Sequence, residues 1–453
     1  MTTGNPTPWA GGQEATRPRL RGRHRCDVVV IGAGLTGLAT ALELLTLAPE
    51  LTVRVVEADR VAAGASGRGT GLLGPRLGPS LQVARKRYGD QVARAAHLWS
   101  VAAVRTVLDL VERHRIDCDL TPGGQLVVAP DERALAHQLR ERDAARLLGL
   151  PPEQVEFVDR ELLPPVARRY LGGLRYGPAA TLDPAALTER LARAGERLGL
   201  VVHESSQVRS VRRGLLATVV TDGGELIADQ VVVAVNAYGG ALAEAPAGVL
   251  GVRVQAGVTE KLSAEQLAAL AGLGAEPLIE HGELAPYFRL TADGRLVVGG
   301  GAVERGPHGG LAPRPGRLLA AVRGLSPVLA DVALDSTWAG PVAVTRDGLP
   351  VLGADPADPW LHRAGGCNGH GLAVSVHHGT LLARRLVGAG PSPGELPWLR
   401  PDAPWLPGGR VAGRLVDRYL DHLTAAAAPA GPRYGSAAPA ASRTAVSRTE
   451  NPS

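Results

Sequence analysis

Three glycines near the amino-terminal end of the chain stand at a spacing that suits a phosphate-binding turn. Gly32, Gly34 and Gly37 follow the short apolar run of residues 27–31 and precede an apolar segment that favours a helix. In such a turn the first glycine permits the bend, the second lets the backbone approach a pyrophosphate, and the third lets helix and strand pack closely. The start of the helix offers N–H groups and partial positive charge to the phosphates.

An acidic residue follows at the distance expected of a ribose ligand. A second apolar segment, residues 51–56, ends at Glu57, which comes twenty residues after Gly37. A carboxylate at this place hydrogen-bonds a ribose hydroxyl of a bound dinucleotide. A glycine-rich turn alone is a weak signal. With strand, helix, second strand and acid all present, the sequence predicts a Rossmann-like dinucleotide-binding unit.

A second glycine cluster lies about 330 residues further along the chain. Residues 365–371 read Gly-Gly-Cys-Asn-Gly-His-Gly, and an apolar segment that favours a helix follows them. The dipole of such a helix stabilises negative charge at its start by ~0.3–1 kcal/mol. We expect it to face the edge of a flavin ring at which charge forms on reduction. The alternative is an ordinary loop that leads into a helix.

The segments between the two clusters supply the elements that must position them. Residues 63–71 form another glycine-rich loop, which suits contact with a planar ligand. Asp183 followed by Pro184 predicts the start of a helix, and Gly199 predicts its end. Residues 250–335 alternate β-like runs, such as 287–291 and 295–300, with helical stretches. Helices are predicted at about 81–115 and 131–148, and strands at 124–129, 201–204, 208–211, 217–220 and 227–234.

Composition limits the class of protein. The chain has 453 residues, 45% of them hydrophobic, with a mean hydropathy near zero, which is typical of a soluble protein of two or three domains. No apolar run reaches the ~20 residues of a membrane-spanning helix, and residues 1–24 lack the apolar core of a signal peptide. Cys26, Cys118 and Cys367 are too scattered for a disulfide framework or a zinc site. We expect a cytoplasmic protein with no metal site and no membrane span.

The positive charge does not indicate nucleic-acid binding. The net charge is +5, but the basic residues are dispersed and nearly all arginine, and aromatic residues make up only 3% of the chain. Nucleic-acid binding calls for clustered basic residues and for aromatic side chains that stack on bases. A solvated, arginine-rich surface accounts for the charge.

Taken together, these motifs resemble the D-amino-acid-oxidase-like (DAO) superfamily of FAD-dependent oxidoreductases. Within it the chain is most similar to the γ-glutamylputrescine oxidase-like branch, over roughly residues 8–400. The order and spacing of the motifs are specific for fold and cofactor and much less so for substrate. The matching features are the glycine fingerprint, Trp9 before the first strand, and the segments 64–68, 182–184, 236–238, 287–295, 345–350 and 369–371.

The resemblance implies an α/β fold, α+β overall. It consists of a Rossmann-like FAD-binding domain and a second, mostly antiparallel-sheet substrate domain that covers the flavin. Residues 1–24 are expected to be an extended leader and residues 425–453 a disordered tail. The FAD-binding domain is predicted to comprise residues 25–115, 160–242 and 336–424, and the substrate domain residues 116–159 and 243–335.

The resemblance also implies which residues hold FAD. The first turn and Glu57 would bind its ADP half, the loop around Ser66 and Arg68 its diphosphate or flavin side, and the backbone of Val208 its adenine. The second glycine cluster would line the isoalloxazine ring. The expected FAD-binding residues are Gly32, Ala33, Gly34, Leu35, Thr36, Gly37, Glu57, Ala58, Ala65, Ser66, Gly67, Arg68, Thr70, Val208, Asn236, Gly366, Asn368, Gly369, His370 and Gly371.

Three departures from the related proteins bear on the chemistry. The branch usually shows Asn-Gly after the residue equivalent to Arg68, whereas this chain has Gly69 and Thr70. Relatives of the sarcosine-oxidase type attach FAD to a cysteine, and the nearest equivalent here is Gly340, so FAD is expected to be non-covalent. Those relatives also place a lysine near the flavin to promote reaction with oxygen, but residues 296–298 read Leu-Val-Val.

Three residues are the candidates for catalysis. His370, beside a helix start, would have a lowered pKa and act as a neutral hydrogen-bond donor, or it merely fits the turn. Tyr287 and Arg289 alternate with Phe288 on one strand and so share a face. Arg289 would pair with a substrate carboxylate, or else form an ion pair on the sheet surface. Arg76 is a weaker candidate for the same carboxylate.

The expected activity is oxidation of a C–N bond in an amine or amino-acid-like substrate to an imine, with oxygen as the electron acceptor. Two alternatives stay open. The same fold would serve a dehydrogenase that passes electrons to a quinone or an electron-transfer protein, or a non-catalytic protein that keeps FAD as a structural element. Cys367 is interpreted as a small filler rather than a redox or covalent group, and His377 and His378 face different directions, which argues against a metal.

Overall fold

The computed structural model describes residues 7–9, 16–274, 276–305, 313–391, 394–404, 418 and 420–422. The tail predicted at 425–453 lies outside the described residues. The helices are α1 Leu35–Leu47, α2 Leu81–Tyr88, α3 Asp90–Arg113, α4 Glu132–Leu147, α5 Pro184–Arg197, α6 Ala264–Ala269, α7 Pro315–Arg323 and α8 Gly371–Leu386. The strands are β1 Gly22–Ile31, β2 Val53–Val56, β3 Leu72–Leu73, β4 Thr121–Val128, β5 Val155–Asp159, β6 Gly172–Thr181, β7 Val201–His203, β8 Val208–Arg212, β9 Ala217–Thr221, β10 Gly224–Val233, β11 Val249–Thr259, β12 Leu278–Glu280, β13 Tyr287–Leu290, β14 Leu296–Arg305, β15 Leu334–Thr345, β16 Val351–Ala354 and β17 Leu361–Gly365.

The first sheet has a parallel centre. In the described ranges its strands follow the order β16-β17-β10-β1-β2-β7, and β9 and β8 extend it from the side of β10. The pairs β17–β10, β10–β1, β1–β2 and β2–β7 are parallel. The carboxyl ends of β1, β10 and β17 therefore meet at one edge of the sheet, which is where ligands bind in open α/β sheets.

The second sheet is mostly antiparallel. Its strands follow the order β15-β11-β14-β13-β12-β4-β6-β3, with β5 on β6, in the part of the chain that the structure describes. The pairing of β12 with β4 is its parallel exception. The prediction of a mixed α/β fold, with a Rossmann-like sheet and a second, mostly antiparallel sheet, is confirmed.

Helix α1 is buried against the first sheet and against α8. Leu38, Ala39 and Leu42 are 0% exposed, so the helix that follows the first glycine turn is fixed on several sides. Helix α8 approaches it closely at Gly379, where an added Cβ would lie 2.5 Å from the Thr36 carbonyl oxygen. This packing joins the helix after the first glycine cluster to the helix after the second.

Local signals predict α5 correctly, but the helix predicted at 81–115 is two helices. The Asp183 carboxylate accepts backbone N–H bonds from Ala185 and Ala186, as expected of an N-cap residue. The break between α2 and α3 falls at Gly89, whose φ of +84° is a conformation that glycine adopts without strain. The two helices consequently turn at this point rather than running straight.

Three strands pair differently from the predicted division into domains. Strands β3, β6 and β15 lie entirely or almost entirely within ranges predicted for the FAD-binding domain, yet all three pair in the second sheet. The reason is that β6 pairs with β4 and β15 pairs along nearly the whole of β11. Such long-range pairing leaves no signal in the local pattern. The division itself stays a prediction.

The leader is held against the first domain by a charged cluster. The Arg17 guanidinium lies 2.8 Å from Glu189 and 3.2 Å from Glu204, and it also pairs with Glu196. The Leu20 N–H donates to the Ser206 hydroxyl at 2.8 Å. Arg17 and Leu20 therefore pack on the protein while their neighbours are exposed, and residues 22–24 form the start of β1. No helix among the described residues combines the length and apolar character that crossing a membrane requires.

Candidate functional site

The first glycine turn connects β1 to α1 by a close approach of backbone to backbone. A Cβ on Gly37 would collide with the Gly32 carbonyl, so helix and strand can come this near only without a side chain there. Gly32 has a φ of +105°. Gly34, the N-cap residue, gives α1 no side-chain cap. Leu35 donates its N–H to the Ser66 hydroxyl, and the next N–H groups of the first turn suit an anionic ligand.

Glu57 is joined to this turn by hydrogen bonds. Its carboxylate accepts the N–H of Ala33 at 2.9 Å and the N–H of Asp59 at 3.0 Å. Burial raises the pKa of the Glu57 carboxyl, and the backbone N–H bonds oppose that shift. The acid therefore braces the glycine turn, and its contact with a ribose stays a prediction. Ala58 follows it, just beyond the end of β2.

The loop of residues 65–68 folds over the start of α1. The Ser66 hydroxyl accepts the Leu35 N–H at 3.0 Å, and it would lie 2.9 Å from a Cβ on Gly34. A Cβ on Gly67 would collide with the Ala62 carbonyl. The predicted cofactor residues from 32–37 and 64–68 are thus brought together into one turn-and-loop unit.

The second glycine cluster lies two strands away. The Asn236 side chain, after β10, accepts the Gly366 N–H at 2.9 Å and donates to the Cys367 sulfur at 3.4 Å. Since neighbouring strands lie ~4.8 Å apart, the ends of β1 and β17 are separated by about 10 Å. The two glycine turns therefore lie at the same edge of the sheet, on either side of the end of β10.

Asn368 fixes the shape of the second turn from within. Its side-chain oxygen accepts the Thr345 N–H at 2.9 Å, and its amide nitrogen donates to the Gly348 carbonyl at 3.0 Å. Its φ of +50° is left-handed, as is that of Gly369 at +87°. The side chain is engaged with the neighbouring loop and so holds the turn, and its contact with FAD stays a prediction.

His370 stands at the start of α8. It is the N-cap residue, but its side chain makes no capping bond, and the described residues offer its ring no hydrogen-bond partner. Burial, and next the positive charge of Arg76, lower its pKa to about 3. Burial and this cation thus favour the neutral ring, and its part in catalysis stays a prediction.

Two indole N–H groups hold the loop between β2 and β3. Trp338 donates to the Arg68 carbonyl and Trp9 donates to the Gly69 carbonyl, both at 2.9 Å. The two rings meet edge to face, with centroids 6.2 Å apart. Sequence reasoning missed Trp338, because its partner lies 270 residues away. In the sequence, only its position two residues before Gly340 could have drawn attention to Trp338.

Tyr287 and Arg289 share the face of β13 that is turned toward this loop, as alternation predicts. Phe288, on the opposite face, is 0% exposed in the core of the second sheet. The Tyr287 phenol hydrogen-bonds the Thr70 side chain. Its ring covers Gly299, where any Cβ would collide with it. Tyr287 therefore links the predicted substrate sheet to the predicted cofactor loop.

Arg289 is buried and lies 4.9 Å from the centre of the Trp9 ring. A Cβ on Gly71 would meet its guanidinium at 2.8 Å. Burial lowers its pKa to about 10, and the more distant Asp183 and Asp119 oppose that shift. Its Nε has no hydrogen-bond partner. Arg289 therefore stays cationic at neutral pH. Its guanidinium lies beside Gly71 and stacks on the ring of Trp9.

Val208 is the first residue of β8 and pairs with Thr221. The chain just before it reaches the nucleotide end of the site, because the Ser206 N–H donates to the Glu57 carbonyl at 2.7 Å. The contact of Val208 with adenine stays a prediction. Arg76 is exposed on the loop after β3, close enough to His370 to lower its pKa. Among the described residues, no group of three or more His, Cys, Asp or Glu side chains is arranged to hold a metal.

The donor set fits FAD. The first-turn N–H groups of α1 that follow Leu35 suit a pyrophosphate, and the carboxylate of Glu57 suits a ribose. The turn before α8 suits the edge of the flavin ring that becomes negative on reduction. Gly34 and Gly37 leave no room for a Cβ atom. The absence of side chains at these two positions lets the backbone of the turn come close to a bound phosphate. A parallel sheet with these two turns, covered by an antiparallel sheet, defines a flavin-dependent oxidoreductase.

The chain belongs to the DAO family of FAD-dependent oxidoreductases. The model of that family, described as FAD dependent oxidoreductase, matches residues 27–385. The chain is 31% identical over 371 residues to the gamma-glutamylputrescine oxidoreductase of Escherichia coli strain K12, which covers 80% of this chain and 84% of that protein. It is 26% identical over 373 residues to the glycine oxidase of Geobacillus kaustophilus, covering 80% and 92% of the two chains.

Solved structures show the same fold. The crystal structure of glycine oxidase from Geobacillus kaustophilus has a TM-score of 0.70 at 22% identity and covers 83% of this chain and 98% of its own. The structure of L-proline dehydrogenase from P. horikoshii has a TM-score of 0.67 at 20% identity and covers 84% and 98%. At these identities the likeness establishes architecture.

Proposed function

We propose that this FAD-dependent oxidoreductase oxidises a C–N bond of an amine or amino-acid-like substrate to an imine, with oxygen as the acceptor. The observation that carries the proposal is the pairing of two glycine turns at the carboxyl ends of β1 and β17. Membership of the DAO family and relatives named for glycine and gamma-glutamylputrescine support the substrate class. When bound, FAD supplies the two-electron oxidation.

The chain's own residues position the reactants. The first turn and Glu57 would hold the nucleotide half, and the turn at 366–371 the flavin ring. His370, neutral at physiological pH because its pKa is about 3, is placed to donate a hydrogen bond to the bound amine or the ring. Tyr287 covers the loop at Thr70 and helps exclude water. A substrate that binds as the neutral amine needs no strong base, and positioning then provides most of the catalysis.

We further infer that FAD is held without a covalent bond. Gly340, at the position of the flavin-linked cysteine in related proteins, has no thiol and lies against Arg68. Burial raises the pKa of the Cys367 thiol, which disfavours the reactive thiolate. Acid precipitation followed by absorbance of the supernatant tests this: we expect all the flavin in the supernatant, and flavin retained in the pellet would contradict it.

Three free, buried cysteines also agree with a reducing, cytoplasmic location.

A dehydrogenase is the second candidate, and the scarcity of lysine favours it. The chain has two lysines, Lys86 and Lys261. Residues 296–298, where related oxidases place a lysine, are fully buried apolar side chains. An electron acceptor other than oxygen would then be a quinone or an electron-transfer protein. Peroxide formed per substrate consumed separates the two: a ratio near one supports the oxidase, and a ratio near zero with turnover by a quinone supports the dehydrogenase.

The purified protein and a set of amines test the proposal directly. We expect a yellow protein with bound FAD whose visible absorbance is lost on anaerobic addition of an amine substrate. A protein without flavin would contradict the proposal. Flavin that is reduced by NADPH and by no amine would indicate a monooxygenase, and flavin that no reductant of either kind reduces would indicate a structural cofactor.

A further inference from the structure

Glu204 is a buried acid that joins the leader to the segment that carries Glu57. It follows β7, and its side chain is 5% exposed. Its carboxylate accepts the N–H of Arg17 at 2.9 Å and the N–H of Val61 at 2.9 Å. The guanidinium of Arg17 also donates to it, at 3.2 Å. A buried carboxylate is stable when it is paired and hydrogen-bonded, and here the leader and the loop after β2 both stabilise the same charge.

The turn after β7 is bonded to the same segment through the backbone. The Glu57 N–H donates to the His203 carbonyl at 2.8 Å, and the Ser206 N–H donates to the Glu57 carbonyl at 2.7 Å. The Ser205 N–H donates to the Asp59 carbonyl at 2.8 Å. Both backbone groups of Glu57 are therefore bonded to this turn, so the position of the acid depends on the position of the turn.

A second leader residue fixes the turn from its other side. The Leu20 N–H donates to the Ser206 hydroxyl at 2.8 Å, and that hydroxyl donates to the Glu204 carbonyl at 2.8 Å. Leu20 is 0% exposed, and Ser206 is 1% exposed. Hydrogen bonds therefore run without a break from the leader, through Glu204 and Ser206, to the backbone of Glu57.

Arg17 supplies the positive charge within a group of three carboxylates. Its guanidinium pairs with Glu189, Glu196 and Glu204, and its side chain is 10% exposed. Like charges that are held close together with little solvent repel one another. Without the guanidinium, the Glu204 carboxylate would stay buried with an uncompensated charge, which is strongly unfavourable. It would then turn toward water, and the Val61 N–H would lose its acceptor.

We propose that Arg17 and Glu204 are positioning residues for the nucleotide half of FAD, which act through residues 57–61 rather than by contact with the cofactor. The proposal rests on the FAD site of the proposed function and deepens it. The guanidinium holds Glu204 on the Val61 N–H, and Glu204 holds the segment in the shape that presents Glu57. A segment that has this shape for only a fraction of the time binds its ligand more weakly by that fraction.

Titration of the apoprotein with FAD, followed by flavin fluorescence, measures this effect. We expect Arg17→Gln and Glu204→Ala each to weaken FAD binding about tenfold or more. Arg17→Lys keeps the positive charge, so it should lose less affinity than Arg17→Gln. Glu204→Gln keeps an oxygen acceptor for the Val61 N–H, so it should lose less than Glu204→Ala. The double variant Arg17→Gln/Glu204→Ala should bind FAD about as well as Glu204→Ala alone, since Arg17 acts through Glu204.

Glu196→Gln is the matched control within the same charged group. Glu196 pairs with Arg17 from α5, and no hydrogen bond joins it to residues 57–61 in the described part of the chain. This variant should bind FAD like wild type. Urea unfolding of each apoprotein separates positioning from stability. A merely structural group of charges would lower the free energy of unfolding in all these variants, while the folded proteins would bind FAD with one affinity.

The outcomes distinguish this inference from the proposed function. Wild-type FAD affinity in Arg17→Gln or in Glu204→Ala, an equal loss in Glu196→Gln, or additive losses in the double variant would overturn the inference. The proposed function would stand in each of these cases, because wild type still binds FAD. If the affinities follow the expected order and no amine reduces the flavin, the inference stands and the amine oxidation falls. A folded wild-type apoprotein that binds no FAD would overturn both.

Discussion

The side-chain oxygen of Asn236 accepts the N–H of Gly366 at 2.9 Å and so ties the end of β10 to the turn after β17. Asn236→Ala would leave that N–H unpaired, at a cost of about 1–3 kcal/mol. We expect FAD affinity to fall about tenfold. Titration of the apoprotein with FAD measures this. Asn236→Asp keeps the acceptor and should lose less; an alanine variant that binds FAD like wild type would contradict the role.

Gly34 is expected to tolerate no side chain. A Cβ there would lie 2.9 Å from the Ser66 hydroxyl, and it would intrude on the backbone that faces the pyrophosphate. Gly34→Ala should therefore be isolated with much less flavin than wild type. Gly316→Ala is the matched control, because a Cβ at Gly316 in α7 meets nothing within 4 Å. Equal flavin content in the two variants would contradict a close approach of the Gly34 backbone to the pyrophosphate.

Trp9 links the leader to the cofactor loop. Trp9→Phe removes the N–H that the Gly69 carbonyl accepts but keeps a ring beside Arg289. A lost hydrogen bond of this kind costs about 0.5–1.5 kcal/mol, so FAD affinity should fall about 2- to 10-fold. Trp9→Ala should lower it further. Trp338→Phe removes the N–H that the Arg68 carbonyl accepts, and it should lower FAD affinity about as much as Trp9→Phe does. Loss in the Trp338 variant alone would show that the leader is dispensable.

His370 should not titrate in the working range. Since its pKa is lowered to about 3, the ring is protonated only in strong acid and is neutral from about pH 6 to 9. Flavin reduction at low substrate should rise with pH as the substrate amine loses its proton. His370→Gln should lower the rate about tenfold or more and leave the shape of that profile unchanged. A profile that loses an ionisation near neutrality in the variant would contradict the neutral ring.

Much of this architecture could be predicted from local sequence because its signals are local. The bend at Gly32, the cap at Asp183 and the alternation around Phe288 each involve residues within a few positions of one another. The pairing of β15 with β11 and the bond from Trp338 to Arg68 depend on contacts across scores of residues. Such contacts leave no periodic trace in the chain.

The same distinction applies to the candidate site. The residues of the two glycine turns could be predicted, since backbone conformation dictates glycine. The role of Arg76 could not be separated from that of Arg289, because both are arginines on or near the second sheet and only burial distinguishes them.

Anaerobic titration of the purified holoprotein with amines, followed by its visible spectrum, tests the central claim most directly. The account predicts that an amine or amino-acid-like substrate abolishes the absorption of oxidised flavin, at one equivalent of substrate per flavin. A holoprotein whose flavin stays oxidised with every amine, yet is reduced by dithionite, would contradict it.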